Sequence, residues 1–262
     1  MILPPEAHAL VQVLALHFTS PTYQRFSTLM VAALVTTGRR TVANLLRTLR
    51  HLAPGHRTDY QRVLSRAPWS GLALGCALAR FLLDHFVPDG PVTLVGDDTV
   101  DGHKGTCVCG LVAIRWVFVR DTTGTHRDEY FFTTDIGLSV SAVIAVYCGR
   151  WNIGTTVQEM RSELGLETTR GWREKTVRRA APCLFGLYTV VAILFHTLPE
   201  SKRTGTVKWP GKTVITFSDA LAAVRRWLWA ESLLPQAGQT TGLEKLPESV
   251  RELLLTTLAP AA

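Results

Sequence analysis

Two adjacent carboxylates, Asp97 and Asp98, close the short apolar run V-T-L-V-G-D-D-T-V. Buried strands commonly deliver functional acids at their ends, where the sheet meets solvent. Ahead of the glycine-bearing D-G-H-K-G the same pair also fits a turn. A second set of groups lies further along, in Y-C-G-R-W-N-I-G-T-T-V-Q-E-M-R over 147–161. At about 100° per residue Tyr147, Arg150, Gly154 and Arg161 share one narrow helical stripe. An aromatic ring and two guanidinium groups therefore converge on the poorest helix former after proline. Such a glycine marks either close packing of the helix at that point or a side chain that has been lost. His103, Cys107 and Cys109 could open a metal site, since C-x-C on a strand puts both sulfurs on one face. No fourth ligand accompanies them, and structural zinc takes four; small buried thiols are the alternative.

The chain that must position these groups has 262 residues, enough for one large domain or two modest ones with a real core. Hydrophobic residues make up 47% and charged residues 19%, which excludes a disordered chain. Lysine and arginine outnumber aspartate and glutamate by 28 to 21, and the net charge of +7 suits a polyanionic partner such as nucleic acid. Five cysteines form an odd, sparse set, as expected for reduced thiols in the cytoplasm. M-I-L-P-P-E has neither the basic start nor the small-residue cleavage site of a secretory signal. The uncharged run from Ala180 to Phe195 is shorter than the ~20 residues of a membrane span and contains Pro182. It reads as a buried core helix, apolar on all sides.

Residues 1–88 carry helical periodicity throughout, broken at Thr37-Gly38 and at Ala53-Pro54-Gly55. Arg39, Arg40, Arg47, Arg50, Arg57, Arg62 and Arg66 gather there. Two short basic helices joined by a tight turn could form a DNA-reading helix-turn-helix, or the arginines could simply line the solvated face of a bundle. From Pro91 the texture becomes β-rich. I-R-W-V-F-V-R and E-Y-F-F-T-T flank a turn holding Gly124 and predict a hairpin. A helix follows from about Ser139 to Leu164, then the apolar 180–195 helix. V-K-W-P-G-K-T-V-I-T-F predicts a strand or extended arm, and S-D-A-L-A-A-V-R-R-W-L-W-A a helix with Ser218 as its N-cap. The Pro/Gly/Thr-rich 235–247 segment predicts a loop.

V-G-D-D-T-V followed by Y-x-x-R-W-x-I-x-x-x-x-x-E-M-R resembles the insertion-sequence DDE transposases of the RNase H-like superfamily. The closest likeness is to the group marked by a Tyr-Arg-Glu-Lys helix. H-R-D-E-Y-F-F-T-T-D, L-G-L-E-T-T-R-G-W and A-P-C-L-F-G-L-Y also look like the later half of such enzymes. The resemblance implies a mixed α/β, helix-rich fold. It would have a helical, DNA-binding region over 1–88, an RNase H-like core over 89–200, and an extension over 201–262. It also implies DNA as partner and Mg²⁺ as cofactor, with three carboxylates holding paired metals that activate the nucleophile and stabilise the scissile phosphate.

On that resemblance Asp97, with Asp98 beside it, stands as the first acid and Asp97 as a metal ligand, while the helix glutamate falls on Gly154. Tyr147, Arg150, Trp151 and Arg161 would face DNA, together with Arg39, Arg40 and Arg47. Arg161 stands where lysine is usual. Glu159 lies about 140° round the helix from Gly154 and Glu163 about 180°, so neither replaces it on that face. No Gly-Asp-x-Gly-Tyr-like motif supplies the second acid, and the inner strands of the sheet are expected to be deleted. The resemblance thus implies an inactive transposase remnant that still binds DNA and could self-associate. The alternatives are an active nuclease with relocated acids (Asp97, Asp121, Asp135, Glu159) and a non-enzymatic interaction or membrane-associated helical protein.

Overall fold

Helix breakers and caps divide the chain into ten helices and one hairpin among the described residues, which are 8–87, 89, 113–125, 127–167, 174–203, 211–236 and 245–260 of a computed structural model. Asp97, Asp98, His103, Cys107 and Cys109 lie outside them. The chain forms two units, Met1–Asp89 with Glu159–Ala262, and Gly90–Gln158.

The first unit contains α1 (His8–Ala15), α2 (Ser20–Val35), α3 (Val42–Leu49), α4 (Arg57–Ser65) and α5 (Gly71–Phe86). It also contains α7 (Glu174–Thr197), α8 (Phe217–Leu228), the short α9 (Leu234–Gln236) and α10 (Glu248–Leu258). Pro21 opens α2, where its missing N–H costs nothing. From Phe26 to Val35 α2 is buried almost all round, so it lies at the centre of the bundle. Its buried Ser27 and Thr28 hydroxyls donate back to the Tyr23 and Gln24 carbonyls at 2.9 Å, leaving no orphaned polar group. Val31 and Leu34 of α2 share one core with Val190 and Leu194 of α7 and Leu221 and Val224 of α8. Burying each such side chain is worth roughly 1.5–3 kcal/mol.

By length and composition α7 could cross a membrane. Its Leu187, Val190, Val191 and Leu194 belong to this shared core, while Val177 and Phe185 are exposed, so the helix is buried on one side rather than all round as expected. Pro182 stands inside α7 and cannot donate to the carbonyl four residues back, that of Arg178. α5 meets α7 at this place. A Cβ on Gly71 would lie 2.8 Å from the Arg178 oxygen, so only glycine permits the approach.

Two buried arginines tie the helices together. Arg179 donates to the carbonyls of Leu64 (2.9 Å), Ala67 (2.8 Å) and Trp69 and lies 4.4 Å over the Trp69 ring, fastening the α4–α5 turn to α7. Arg225 of α8 donates to Leu34 at the end of α2 at 2.7 Å. The α8 N-cap is Thr216, not Ser218: its hydroxyl and Asp219 form a capping box, and Lys212 pairs with the buried Asp219. Of the strand or extended arm expected before α8, the described part forms no strand. Residues 211–216 are irregular, with Gly211 at φ 85°, and 204–210 lie outside the description.

The second unit contains β1 (Arg115–Val119) and β2 (Glu129–Thr133), paired antiparallel with Val117 opposite Phe131. Gly124, at φ 73°, serves the turn between them. Val117 and Phe131 face Val143 of α6 (Val140–Glu159), while Trp116, Phe118, Tyr130 and Phe132 alternate onto the exposed face. α6 runs into a π-helical turn, Met160–Leu164, which ends on Gly165 in the left-handed region.

Candidate functional site

The hairpin positions the aromatic end of the predicted helix stripe. Phe131 holds the Tyr147 ring at a centroid distance of 4.3 Å. One turn on, Arg150 donates to the Tyr147 hydroxyl at 3.3 Å. Its guanidinium lies 5.0 Å from the Tyr147 ring centre and 5.8 Å from that of Trp151, within cation–π range. Tyr147, Arg150 and the exposed Trp151 are therefore one cluster on α6. Gly154 is exposed, and among the described residues nothing comes within 4 Å of a Cβ built on it. Close packing does not account for this glycine.

Arg161 stands in the π-helical turn, where the regular angular count no longer applies. It donates to Glu167 at 2.7 Å, and this hydrogen bond and charge raise its pKa above the usual arginine value.

The acids weighed as relocated ligands are each engaged locally. Asp121 accepts from the Thr123 amide at 2.8 Å and the Thr123 hydroxyl at 2.6 Å within the hairpin turn. Asp135 accepts from the Gly137 amide at 2.9 Å ahead of α6. Glu159 accepts from the Tyr188 hydroxyl at 2.8 Å, and Tyr188 in turn stacks on Phe217. Among the described residues no three His, Cys, Asp or Glu side chains are grouped so as to hold a metal ion.

The basic N-terminal helices divide into two populations. Arg40, expected on nucleic acid, is turned inward: its Nε donates to the Ala33 carbonyl at 3.1 Å. Burial, partly offset by Glu163, lowers its pKa to about 10. Arg225 is lowered to about 10 for the same first reason, with the Arg40 charge second. Arg25 and Arg62 share Asp59, at 3.6 and 3.5 Å. Arg39, Arg47, Arg50, Arg57 and Arg66 remain exposed. Arg47 reaches Asn44 at 3.4 Å. Between α3 and α4 lie a 3₁₀ turn (Arg50–Leu52) and Pro54-Gly55, a longer connection than the tight turn expected.

An open groove of ≈ 1220 Å³ between α5 and α7 is apolar. Leu72, Phe86, Phe185 and Ile193 line it, with Arg178 and His196 among its polar residues and no carboxylate. It offers no carboxylate to hold a divalent metal. The buried Arg179 and Arg225 were not singled out from the sequence. Their one signal is a cation interrupting an otherwise apolar helix, in R-R-A-A-P-C-L-F and A-L-A-A-V-R-R-W.

Residues 13–132 match the family model described as DDE superfamily endonuclease, a little under half of the chain. The matched stretch includes Asp97 and Asp98 and ends before α6. No curated protein and no solved structure matches the chain.

Proposed function

We propose that the chain is a DDE transposase-like protein of the insertion-sequence kind, internally shortened and catalytically silent, that retains binding to DNA. The similarity of residues 13–132 to DDE superfamily endonucleases carries this reading. That stretch contains both the V-G-D-D-T-V run and the basic helices α3 and α4.

Enzymes of this type work with divalent metals such as Mg²⁺, held by acids from separate segments. The described residues do not fit such a centre. Asp121, Asp135 and Glu159 are each satisfied by nearby donors, and the helix position that would supply a glutamate is Gly154, open and without a side chain. With Asp97 as the remaining ligand, no in-line displacement is derived for this chain. The Tyr147–Arg150–Trp151 cluster and the exposed arginines of α3 and α4 remain suited to backbone phosphate, which needs charge and hydrogen bonds but no metal. Reduced thiols, and with them a cytoplasmic setting, accord with this function.

The test pairs two measurements on the purified protein. Duplex DNA should bind at low salt and be released steeply as salt rises. The same DNA, carrying terminal repeats of the element, should stay intact in Mg²⁺ and in Mn²⁺. Metal-dependent nicking by the wild type would overturn catalytic silence, and absence of binding at low salt would overturn the DNA-binding role.

A further inference from the structure

We infer that Arg50 is a phosphate-contact residue, held in a backbone conformation that its own side chain disfavours. The inference rests on the DNA-binding reading above and names the residue through which that surface works. Arg50 ends α3 at φ 50° and ψ −121°, with its amide still donating to the Leu46 carbonyl. A Cβ is crowded at this positive φ, so glycine is the residue that ordinarily adopts it.

Glycine occupies most other positive-φ positions among the described residues, at 38, 55, 124, 165 and 211. Arg50 and Glu167 are the non-glycine residues at positive φ. Glu167 has an internal use for its side chain, the ion pair with Arg161 at 2.7 Å. Arg50 is exposed, and its guanidinium forms no hydrogen bond or ion pair among the described residues. The conformation turns the backbone from α3 into the 3₁₀ turn, where the Arg50 carbonyl accepts from the Ala53 amide at 3.2 Å, but that turn makes no use of the side chain. Residues held in such conformations cluster where ligands are met.

The surrounding chemistry identifies the ligand as a polyanion. Arg47, His51, His56 and Arg57 are exposed in the same stretch. Its one acid, Asp59, is already engaged by Arg25 and Arg62. A planar guanidinium free to make two parallel hydrogen bonds matches a phosphate better than a lysine ammonium does.

The experiment compares the full-length wild type with Arg50→Gly and Arg50→Lys on a short DNA duplex over a range of salt, alongside thermal melts. Arg50→Gly removes both the charge and the strain. It should melt about 2–6 °C higher and bind about five- to tenfold more weakly, with the salt slope reduced by about one. Arg50→Lys should keep the slope while losing part of the affinity. If Arg50→Gly binds with the wild-type affinity and slope while the wild type binds normally, this inference alone falls. A lower melting temperature for Arg50→Gly would also overturn it, by removing the strain premise. A wild type that binds no duplex at low salt overturns both it and the DNA-binding reading.

Discussion

Replacing Gly154 separates a vacated position from a packed one. Gly154 lies inside α6, is exposed, and would present a Cβ to open space among the described residues. No packing penalty then opposes the gain in helix propensity. Gly154→Ala should stabilise by about 1 kcal/mol and Gly154→Glu by about 0.5 kcal/mol from propensity alone. Arg150 stands four residues before, and the pairing adds at most a few tenths of a kcal/mol because the acid follows the base. For a chain of this size the melting temperature should rise by about 1–4 °C, read by circular dichroism, with slower hydrogen exchange along α6. A loss of stability in both variants would refute the reasoning, since it would mean that the glycine is packed against something. The glutamate variant also tests the chemistry. One restored acid without the middle ligand leaves the paired-metal arrangement incomplete, so no nicking is expected in Mn²⁺. Appreciable cleavage would send attention back to Asp121 and Asp135.

Arg179→Met should cost about 3–5 kcal/mol in urea denaturation, because one buried and two half-buried carbonyls lose their donor at once. Gly71→Ala should destabilise by about 1–3 kcal/mol, since the new Cβ meets backbone atoms of α7 at 2.8 and 3.3 Å. Gly75→Ala, only 3.8 Å from the Pro182 Cβ, should be neutral or stabilising by thermal melt. Burial pushes the Cys183 thiol from its ordinary 9.0 to about 12, so folding favours the protonated form. That contribution is complete below pH 9 and is lost as pH rises from 9 towards 12. Cys183→Ala should therefore flatten the fall in urea midpoint between pH 8 and pH 10.

The helical N-terminal region, the hairpin and the 139–164 helix were legible because their signals are local. Apolar spacing at helical period, β-branched runs around Gly124 and the breaks at Thr37-Gly38 and Ala53-Pro54-Gly55 each act within a few residues. The α8 cap was misplaced because Ser218 and Thr216 are both acceptable caps by type. Asp219 decides between them, three residues after Thr216 and able to close the capping box. The strand or extended arm expected before α8 rested on β-branched residues, and β propensity alone does not decide between the two. At the candidate site, the pairing of Tyr147 with Arg150 followed from helical spacing and Trp151 entered through the resemblance, while the π-helical turn that holds Arg161 is announced by no residue type. Gly154 could be read two ways from sequence, and only its open surroundings argue against close packing.

A count of basic residues overstates the surface this protein can offer to DNA. Arg40 and Arg225 direct their guanidinium groups to Ala33 and Leu34, carbonyls in the last turn of α2, where the helix dipole favours cations. Arg179 is spent on the α4–α5 turn, Arg25 and Arg62 on Asp59, and Arg161 on Glu167. Basic groups have in this way been drawn into holding the helices together, which composition alone cannot reveal. Arg39, Arg47, Arg50, Arg57 and Arg66 are the exposed arginines left on α3, α4 and the residues flanking them. Each neutralised phosphate contributes about −0.9 to the slope of log affinity against log salt, so this face should give a slope no steeper than about −4.5. The Arg150 cluster would add about one more if it also meets phosphate. A slope much steeper than −6 would place DNA on a different and more strongly charged surface. A slope near zero would mean that the exposed arginines do not meet phosphate at all.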